Sequence, residues 1–191
     1  MLSCAVFLDR DGTINEDPGY LGEPSNVKLF PGTAEALSNL KSKLNCKLIV
    51  ISNQSGIARG VITKQMVENV NEKINELLLV EQTSIDAFYY CPYHPDYNSE
   101  EECECRKPSP NLIFKAAKDF QIDLAKSYFV GDTSSDVICG FNAGLKTVLV
   151  KTGYGMESIS ILQKQNKIPT FVAENLEQAC KFIIKDFSGE N

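Results

Sequence analysis

The sequence lacks any apolar run that approaches the roughly 18 residues of a membrane-spanning helix. The apolar run in its first ten residues, MLSCAVFLDR, is too short for a signal peptide. Positive charge is also scarce, because 19 Lys and Arg residues oppose 25 Asp and Glu residues. The net charge of −6 would repel nucleic acids and other polyanions. We therefore expect a cytoplasmic, monomeric protein with neither a membrane nor a nucleic-acid partner.

The sequence also lacks internal repeats and low-complexity segments. Its 191 residues, of which 43% are apolar, predict a single domain over residues 1–191 that buries most of the surface an unfolded chain exposes. Because the net charge opposes an anionic ligand, such a ligand would need a local cluster of cations, backbone amides or metal.

Short apolar runs alternate with segments whose apolar residues recur at three- and four-residue spacing. The runs predict strands at 3–8, 47–52, 87–90, 128–131, 147–150 and 171–173. The spaced segments predict helices at 33–44, 63–80, 110–120, 134–143 and 176–187, and 91–109 reads as irregular. The alternation predicts an α/β fold, a Rossmann-like three-layer sandwich with a mostly parallel sheet. Its ligand site should lie beyond the carboxyl ends of the strands.

Carboxylates follow the ends of the first and fourth predicted strands. Asp9 and Asp11, separated by one residue, can act as a nucleophile and a general acid and base. An ordinary Asp-Gly turn would also account for this pair. Asp132 after the fourth strand would supply a further oxygen ligand for Mg²⁺. Asp132 and Asp136 could equally cap a helix, a role compatible with metal binding.

Groups suited to phosphoryl oxygens follow other strand ends. Ser52 offers a hydroxyl, the turn at 53–56 offers backbone amides, and Lys107 with Arg106 offers positive charge. The basic pair could instead be an ordinary solvated surface feature. Its position between Cys105 and Pro108 favours a functional role.

Three cysteines and the single histidine cluster in one segment: Cys91, His94, Cys103 and Cys105. Such a set is typical of tetrahedral Zn²⁺, and the use of four protein ligands would make the site structural rather than catalytic. A disulfide is the alternative, although a cytosolic location disfavours one and Cys103 is too close to Cys105 for those two to pair well. The remaining cysteines lie singly in apolar segments and are predicted to be core thiols: Cys4, Cys46, Cys139 and Cys180.

Taken in order, Asp9-x-Asp11-Gly-Thr, Ser52-Asn53, Lys107 and Gly131-Asp132-x-x-x-Asp136 resemble the four motifs of the haloacid dehalogenase superfamily. The resemblance implies that Asp9 is the nucleophile, Asp11 the acid and base, and Ser52 and Lys107 the phosphoryl clamps. It implies Mg²⁺ binding by Asp9, the Asp11 backbone carbonyl and Asp132. The second aspartate favours phosphatases within the superfamily, and the short segments between motifs leave no space for a large cap domain.

Flanking residues narrow the resemblance to the heptose bisphosphate phosphatases, which share the zinc loop with histidinol-phosphate phosphatases. Beyond the Cys/His loop, the resemblance covers residues 11–15, 17–20, 52–56 and 105–108. Carried over by position, the residues expected to contact substrate are Asp17, Pro18, Gly19, Tyr20, Ser52, Asn53, Gln54, Ser55, Arg106, Lys107 and Thr133.

The chain departs from this family at two positions. The family's zinc histidine commonly lies two residues after the first cysteine, where this chain has Tyr93, so the histidine available is His94. Thr133 stands where the family often has a basic residue near the substrate. The first departure implies either a loop shifted by one residue or a lower affinity for zinc. The second implies a different anomer preference or substrate choice.

The resemblance implies a magnesium-dependent phosphatase that removes the 7-phosphate of D-glycero-D-manno-heptose 1,7-bisphosphate, in nucleotide-activated heptose biosynthesis. Histidinol phosphate or a broader range of sugar phosphates is the alternative substrate class. A catalytically silent phosphate-binding domain is a further alternative, which the intact motif residues oppose.

Overall fold

The protein is described by a computed structural model that covers residues 3–189. Its strands are β1 (Ala5–Leu8), β2 (Lys47–Asn53), β3 (Ala87–Cys91), β4 (Tyr128–Gly131), β5 (Lys146–Val150) and β6 (Phe171–Ala173). Its α-helices are α1 (Thr33–Leu44), α2 (Lys64–Leu78), α3 (Glu100–Cys103), α4 (Asn111–Phe120), α5 (Ser134–Asn142), α6 (Gly155–Lys164) and α7 (Leu176–Ser188). Short 3-10 turns lie at Pro24–Asn26, Leu79–Glu81 and Leu124–Lys126.

The strands form one parallel sheet in the order β3-β2-β1-β4-β5-β6. In the central register, Phe7 on β1 pairs with Ile49 on β2 and with Phe129 on β4. The chain runs outward from β1 through β2 and β3, and then outward in the opposite direction from β4. A crevice therefore opens between the carboxyl ends of β1 and β4, where open α/β sheets bind their ligands.

Side chains alternate between the two faces of the sheet, because successive residues of a strand point in opposite directions. Val6 and Leu8 face a core that includes residues of α1, α2 and α7. Ala5 and Phe7 face a second core formed with α4 and α5. Helices thus cover both faces of a parallel sheet, which confirms the predicted three-layer α/β fold.

The six predicted strands are present with shifts of at most two residues at their ends. Two helices were not predicted. One is α3, within the stretch expected to be irregular, where Ser99 Oγ accepts a hydrogen bond from Glu102 N–H and the Glu102 carboxylate accepts one from Ser99 N–H. The other is α6, whose buried residues are Gly155, Ser158 and Leu162. Of these, Leu162 has an apolar side chain, so the buried positions give no apolar repeat that predicts a helix.

The single cysteines lie mainly in the core, as predicted. Cys46, Cys139 and Cys180 are buried, whereas Cys4 is only partly buried. Burial raises the pKa of Cys46 to about 12 and that of Cys139 to about 12, so these thiols stay neutral. None of the helices within residues 3–189 has the length and apolar character that a membrane crossing requires.

Candidate active site

Three buried carboxylates meet at the crevice between β1 and β4. Asp9 directly follows β1 and Asp132 directly follows β4, while Asp136 lies in the first turn of α5. One oxygen from each carboxylate lies within 4.8 Å of one from each of the other two. Backbone pairing between β1 and β4 fixes the position of Asp9, because Asp9 N–H donates to Val130 O at 2.9 Å. The sheet therefore brings together Asp9 and Asp132, which are 123 positions apart in sequence.

Lys107 is the cation that faces this cluster. Its ammonium lies 2.8 Å from Asp9 Oδ1 and 2.6 Å from Asp136 Oδ1, and it donates to Ile51 O at 2.9 Å. The side chain is 2% exposed, so these partners replace water around the charge. Burial opposes the charge, but Asp136 and Asp9 outweigh it and raise the pKa of Lys107 above its ordinary value. Lys107 is therefore a fixed positive charge beside the predicted nucleophile.

Burial also acts on the carboxylates of the cluster. It raises the pKa of Asp9 well above 3.8, with a further increase from the neighbouring Asp136 charge, while Lys107 opposes both effects. Burial and Asp136 likewise raise the pKa of Asp132 to about 7. One ammonium does not neutralise three carboxylates, and the remaining negative charge favours a bound cation.

The donor set fits Mg²⁺. Carboxylate oxygens are hard ligands of the kind that Mg²⁺ prefers, and the cluster combines them with excess negative charge. Of the predicted metal ligands, Asp9 and Asp132 belong to this cluster, whereas the Asp11 carboxylate does not. This placement leaves the Asp11 backbone carbonyl for the metal role that the family resemblance implies. Asp136, which sequence analysis did not assign to the metal, completes the cluster but is paired with Lys107.

Loops from distant parts of the chain hold Asp132. Thr13 Oγ1 donates to Asp132 Oδ1 at 3.1 Å, and Tyr154 N–H donates to Asp132 Oδ2 at 2.9 Å. Gly153, at φ +54°, packs so closely that an added Cβ would overlap the Asp132 carboxylate. Thr152 Oγ1 also donates to the carbonyl of Gly12 at 2.6 Å. The β5–α6 loop thus closes one side of the site, a function that sequence analysis missed.

The Asp11 carboxylate, the predicted acid and base, points into a separate cluster of donors. It accepts hydrogen bonds from Arg10 Nε at 3.1 Å and Nη2 at 2.8 Å. Asn15 Nδ2 donates to Oδ1 at 2.8 Å, and Gln54 Nε2 donates to Oδ2 at 3.0 Å. These contacts fix both oxygens of Asp11.

The end of β2 contributes the predicted phosphoryl clamp. Ser52 is buried and its hydroxyl accepts a hydrogen bond from Gln54 Nε2 at 2.7 Å. Asn53 forms a reciprocal pair with the Lys107 backbone, since Lys107 N–H donates to Asn53 Oδ1 at 3.0 Å and Asn53 Nδ2 donates to Lys107 O at 3.2 Å. This pair ties the second motif to the loop that carries Lys107.

The crevice is a cavity of about 310 Å³. Its walls include every residue predicted to contact substrate except Pro18. The lining residues are Asp9, Asp11, Asp17, Gly19, Tyr20, Ser52, Asn53, Gln54, Ser55, Gly56, Arg106, Lys107, Asp132, Thr133, Ser135 and Tyr154. Pro18 lines a neighbouring depression with Asp17 and Lys28. Thr133 caps α5, because its hydroxyl accepts a hydrogen bond from Asp136 N–H.

The cysteine-rich loop contains a disulfide in this structure, and the zinc site that its sequence predicts stays a prediction. Cys91 and Cys105 are joined in a disulfide, the arrangement that sequence analysis placed second, and Cys103 is a free, partly buried thiol. Disulfide sulfurs cannot act as thiolate ligands. His94 Nε2 lies 3.1 Å from Arg59 Nη2, and His94 Nδ1 lies 3.4 Å from Asp96 Oδ2. Within residues 3–189, this loop contributes no group of three ligand atoms within 4.8 Å of one another.

Known proteins resemble this chain over most of its length. A family model described as HAD-hydrolase-like matches residues 104–179. The D-glycero-D-manno-heptose-1,7-bisphosphate 7-phosphatase of Chlorobaculum tepidum is 43% identical over 183 residues, which cover 91% of this chain and 90% of that protein. The D-glycero-beta-D-manno-heptose-1,7-bisphosphate 7-phosphatase of Escherichia coli K12 is 43% identical over 153 residues, covering 78% and 80% of the two chains.

A solved structure agrees with these relatives. The D,D-heptose 1,7-bisphosphate phosphatase of B. bronchiseptica, complexed with magnesium and phosphate, superposes with a TM-score of 0.84 at 28% identity. The match covers 96% of this chain and 99% of that one. Shared fold, identity and coverage together show that this chain is a phosphatase that belongs to the heptose bisphosphate phosphatase family of HAD-like hydrolases.

Proposed function

We propose that this enzyme removes the 7-phosphate of D-glycero-D-manno-heptose 1,7-bisphosphate through an aspartyl-phosphate formed on Asp9. The observation that carries the proposal is the position of Asp9. It lines the cavity, paired with Lys107, together with ten of the eleven residues predicted to contact substrate. The relatives named for this activity supply the substrate class.

In the first step, an Asp9 oxygen attacks phosphorus and the bond from phosphorus to the sugar oxygen breaks. Asp11 donates a proton to that oxygen, so the sugar leaves as an alcohol. Lys107 and Ser52 hold the phosphoryl oxygens and offset their charge. Burial raises the pKa of Asp9, and the nearby Lys107 charge opposes that rise and so favours the ionised nucleophile.

In the second step, water attacks the phosphorus of the aspartyl-phosphate and the acyl phosphate bond breaks. Asp11 accepts the proton from this water, which restores its starting state, and inorganic phosphate leaves. When bound, Mg²⁺ would neutralise negative charge on the transferring phosphoryl group. Asp9, the Asp11 backbone carbonyl and Asp132 would hold it.

The test is a comparison of kcat/KM for three substrates: the heptose bisphosphate, histidinol phosphate and a simple sugar phosphate. We expect the bisphosphate to be preferred. Equal or lower kcat/KM for the bisphosphate would overturn the substrate assignment. Asp9→Asn should abolish phosphate release while leaving folding largely intact, and persistent turnover would refute the covalent mechanism.

Histidinol phosphate is the second candidate substrate, and one observation favours it. Two basic residues line the cavity, the buried Lys107 and Arg106. At the position where the family often has a further basic residue, this chain has the neutral Thr133. A substrate with a single phosphate needs fewer cations than a bisphosphate. The kinetic comparison above separates the two candidates.

The proposal extends to zinc in the reduced protein, with Cys91, His94, Cys103 and Cys105 as ligands. Its support is the spacing of these residues and the convergence of the Cys91 and Cys105 sulfurs. Binding requires reduction of the disulfide and release of His94 from its present contacts. Metal analysis of reduced protein purified without chelator should find about one zinc per chain, because structural sites bind tightly at neutral pH. Less than about half an equivalent would refute this site.

The enzyme is further proposed to act as a cytoplasmic monomer in nucleotide-activated heptose biosynthesis. Its net charge of −6 supports a partner list limited to small molecules. Light scattering of the Mg²⁺-loaded protein should give the mass of one chain, and twice that mass would contradict the monomer.

A further inference from the structure

A buried arginine lies behind the predicted acid and base. Arg10 is 1% exposed, although its guanidinium carries a permanent charge. Its Nε and Nη2 groups bind the Asp11 carboxylate across both oxygens, at distances of 2.8 to 3.1 Å. Such two-point contact fixes the orientation of the carboxylate as well as its position. The orientation of Asp11 therefore depends on the orientation of the Arg10 guanidinium.

The far edge of that guanidinium is held from another part of the fold. Arg10 Nη1 donates to Asn71 Oδ1 at 3.1 Å, and Arg10 Nη2 donates to Gln54 Oε1 at 3.2 Å. Asn71 lies on α2, 61 residues away from Arg10 in sequence. The rigid, planar guanidinium thus connects α2 to Asp11.

Asn71 is unusual in its surroundings. It is 7% exposed, and the other buried side chains of α2 are apolar: Val67, Val70, Ile74 and Leu78. A buried amide among apolar neighbours is costly unless it is hydrogen-bonded. Its contact with Arg10 provides a reason for a polar side chain at this position.

We propose that Asn71 is a positioning residue for proton transfer, which acts through Arg10 to hold Asp11 in register with the leaving oxygen of the substrate. This inference rests on the proposed mechanism, in which Asp11 donates that proton. Without the Asn71 carbonyl, Gln54 is the acceptor that remains at the far edge of the guanidinium, so the guanidinium can tilt and shift the Asp11 carboxylate that it holds. Displacement by about 1 Å is enough to lower a reaction rate strongly.

The test compares two leaving groups in the Mg²⁺-loaded enzyme. A sugar phosphate needs a proton on its leaving oxygen, whereas p-nitrophenyl phosphate releases a stable phenolate without one. We expect Asn71→Leu to lower kcat/KM for the sugar phosphate by about tenfold or more, a part of the roughly 100- to 10,000-fold typical of acid and base catalysis. For p-nitrophenyl phosphate we expect less than about a threefold change, because the same catalysis is not required.

A matched control lies one helical turn away. Asn75, also on α2, hydrogen-bonds to the backbone of Ile85 and not to the Arg10 guanidinium. Asn75→Leu makes the same substitution on the same helix, so general damage to α2 should affect both substrates equally. Asn71→Asp keeps an oxygen that can accept from Arg10 and should restore most of the sugar-phosphate activity.

The outcomes separate this inference from the proposed mechanism. Asp11→Asn should show the same selective loss of kcat/KM for the sugar phosphate, because kcat/KM reports the first step and not the later hydrolysis in which Asp11 acts as base. An equal loss of kcat/KM for both substrates would overturn the role of Asp11 as the acid. Suppose that Asp11→Asn is selective, but that Asn71→Leu lowers kcat/KM equally for both substrates or leaves both unchanged. The positioning role of Asn71 is then refuted while the mechanism stands. If Asn71→Leu did not fold, Asn71→Asp would decide the matter. Asn71→Asp keeps an oxygen that can accept from Arg10, so a selective loss of kcat/KM for the sugar phosphate in Asn71→Asp would also refute the positioning role.

Discussion

Replacing Asp132 with asparagine should make the metal-free protein more stable at alkaline pH and less stable at acidic pH. Asp132 is fully buried, and burial together with the Asp136 charge raises its pKa to about 7. Thr13 and Tyr154 oppose that increase by donating hydrogen bonds to the carboxylate. The Asp132→Asn substitution would remove the charge and retain most of the shape of the side chain.

The magnitude follows from linkage between protons and folding. Between pH 3.8, the ordinary value for Asp, and about pH 7, the native state holds a proton that the unfolded chain has lost. Stability therefore falls as pH rises through this window, by about 4 kcal/mol in total at about 1.4 kcal/mol per pH unit. The asparagine oxygen replaces only one of two acceptors, which costs about 1–3 kcal/mol at any pH.

These two opposing effects predict that the difference in free energy of unfolding between the variant and the unsubstituted protein changes sign with pH. In Asp132→Asn, the free energy of unfolding should be lower than in the unsubstituted protein by about 1–3 kcal/mol near pH 4. Above pH 7 it should be higher by about 1–3 kcal/mol, because removal of the unfavourable charge then outweighs the lost hydrogen bond. Asp9, whose pKa burial also raises, leaves a residual pH dependence in the variant.

The assay is urea unfolding at several pH values, in EDTA and in Mg²⁺. Magnesium at about a hundred times its dissociation constant should stabilise the unsubstituted protein at pH 8 by about 2.7 kcal/mol, and the variant by much less. The reasoning is refuted if metal-free stability does not fall between pH 5 and pH 8. It is also refuted if Asp132→Asn destabilises the protein equally at both pH values.

Two further substitutions probe the same site. Lys107→Met should abolish phosphate release and lower the free energy of unfolding by about 3–5 kcal/mol at pH 8, since it leaves buried carboxylates without their cation; a loss under about 1 kcal/mol would show that the carboxylates do not depend on it. Gly153→Ala should weaken Mg²⁺ binding, measured by calorimetry, because its Cβ would overlap the Asp132 carboxylate. Gly60→Ala is the control for backbone strain, since Gly60 has φ +68° and no atom within 4 Å of an added Cβ, and equal effects of the two would contradict a specific role of Gly153.

Prediction from sequence succeeded where local pattern and chemistry agree. The β-strands are short apolar runs with polar residues at their carboxyl ends, and a parallel sheet brings those ends to one edge. The convergence of Asp9 and Asp132 could therefore be predicted without coordinates. Ser52 and Lys107 could be placed in the same site because the order of the motifs matched a known family.

In the loop from Cys91 to Cys105, local pattern leaves the chemistry open. Its residue types suit a zinc site or a disulfide, and the spacing in the sequence favours zinc. The structure joins Cys91 to Cys105 and directs His94 towards Arg59 and Asp96. Side-chain direction in this segment depends on its tertiary neighbours, so residue spacing alone does not decide between the two chemistries.

The sequence by itself determined the fold class, the order of the motifs and the carboxylates at the strand ends, because hydrophobic periodicity and reactive side chains are local properties. Only the tertiary structure decided which groups surround them. Asp136 pairs with Lys107, Tyr154 holds Asp132 through its backbone, and Asn71 reaches Asp11 through Arg10. These contacts join residues that are distant in the chain, and their geometry arises only when the helices pack on the sheet.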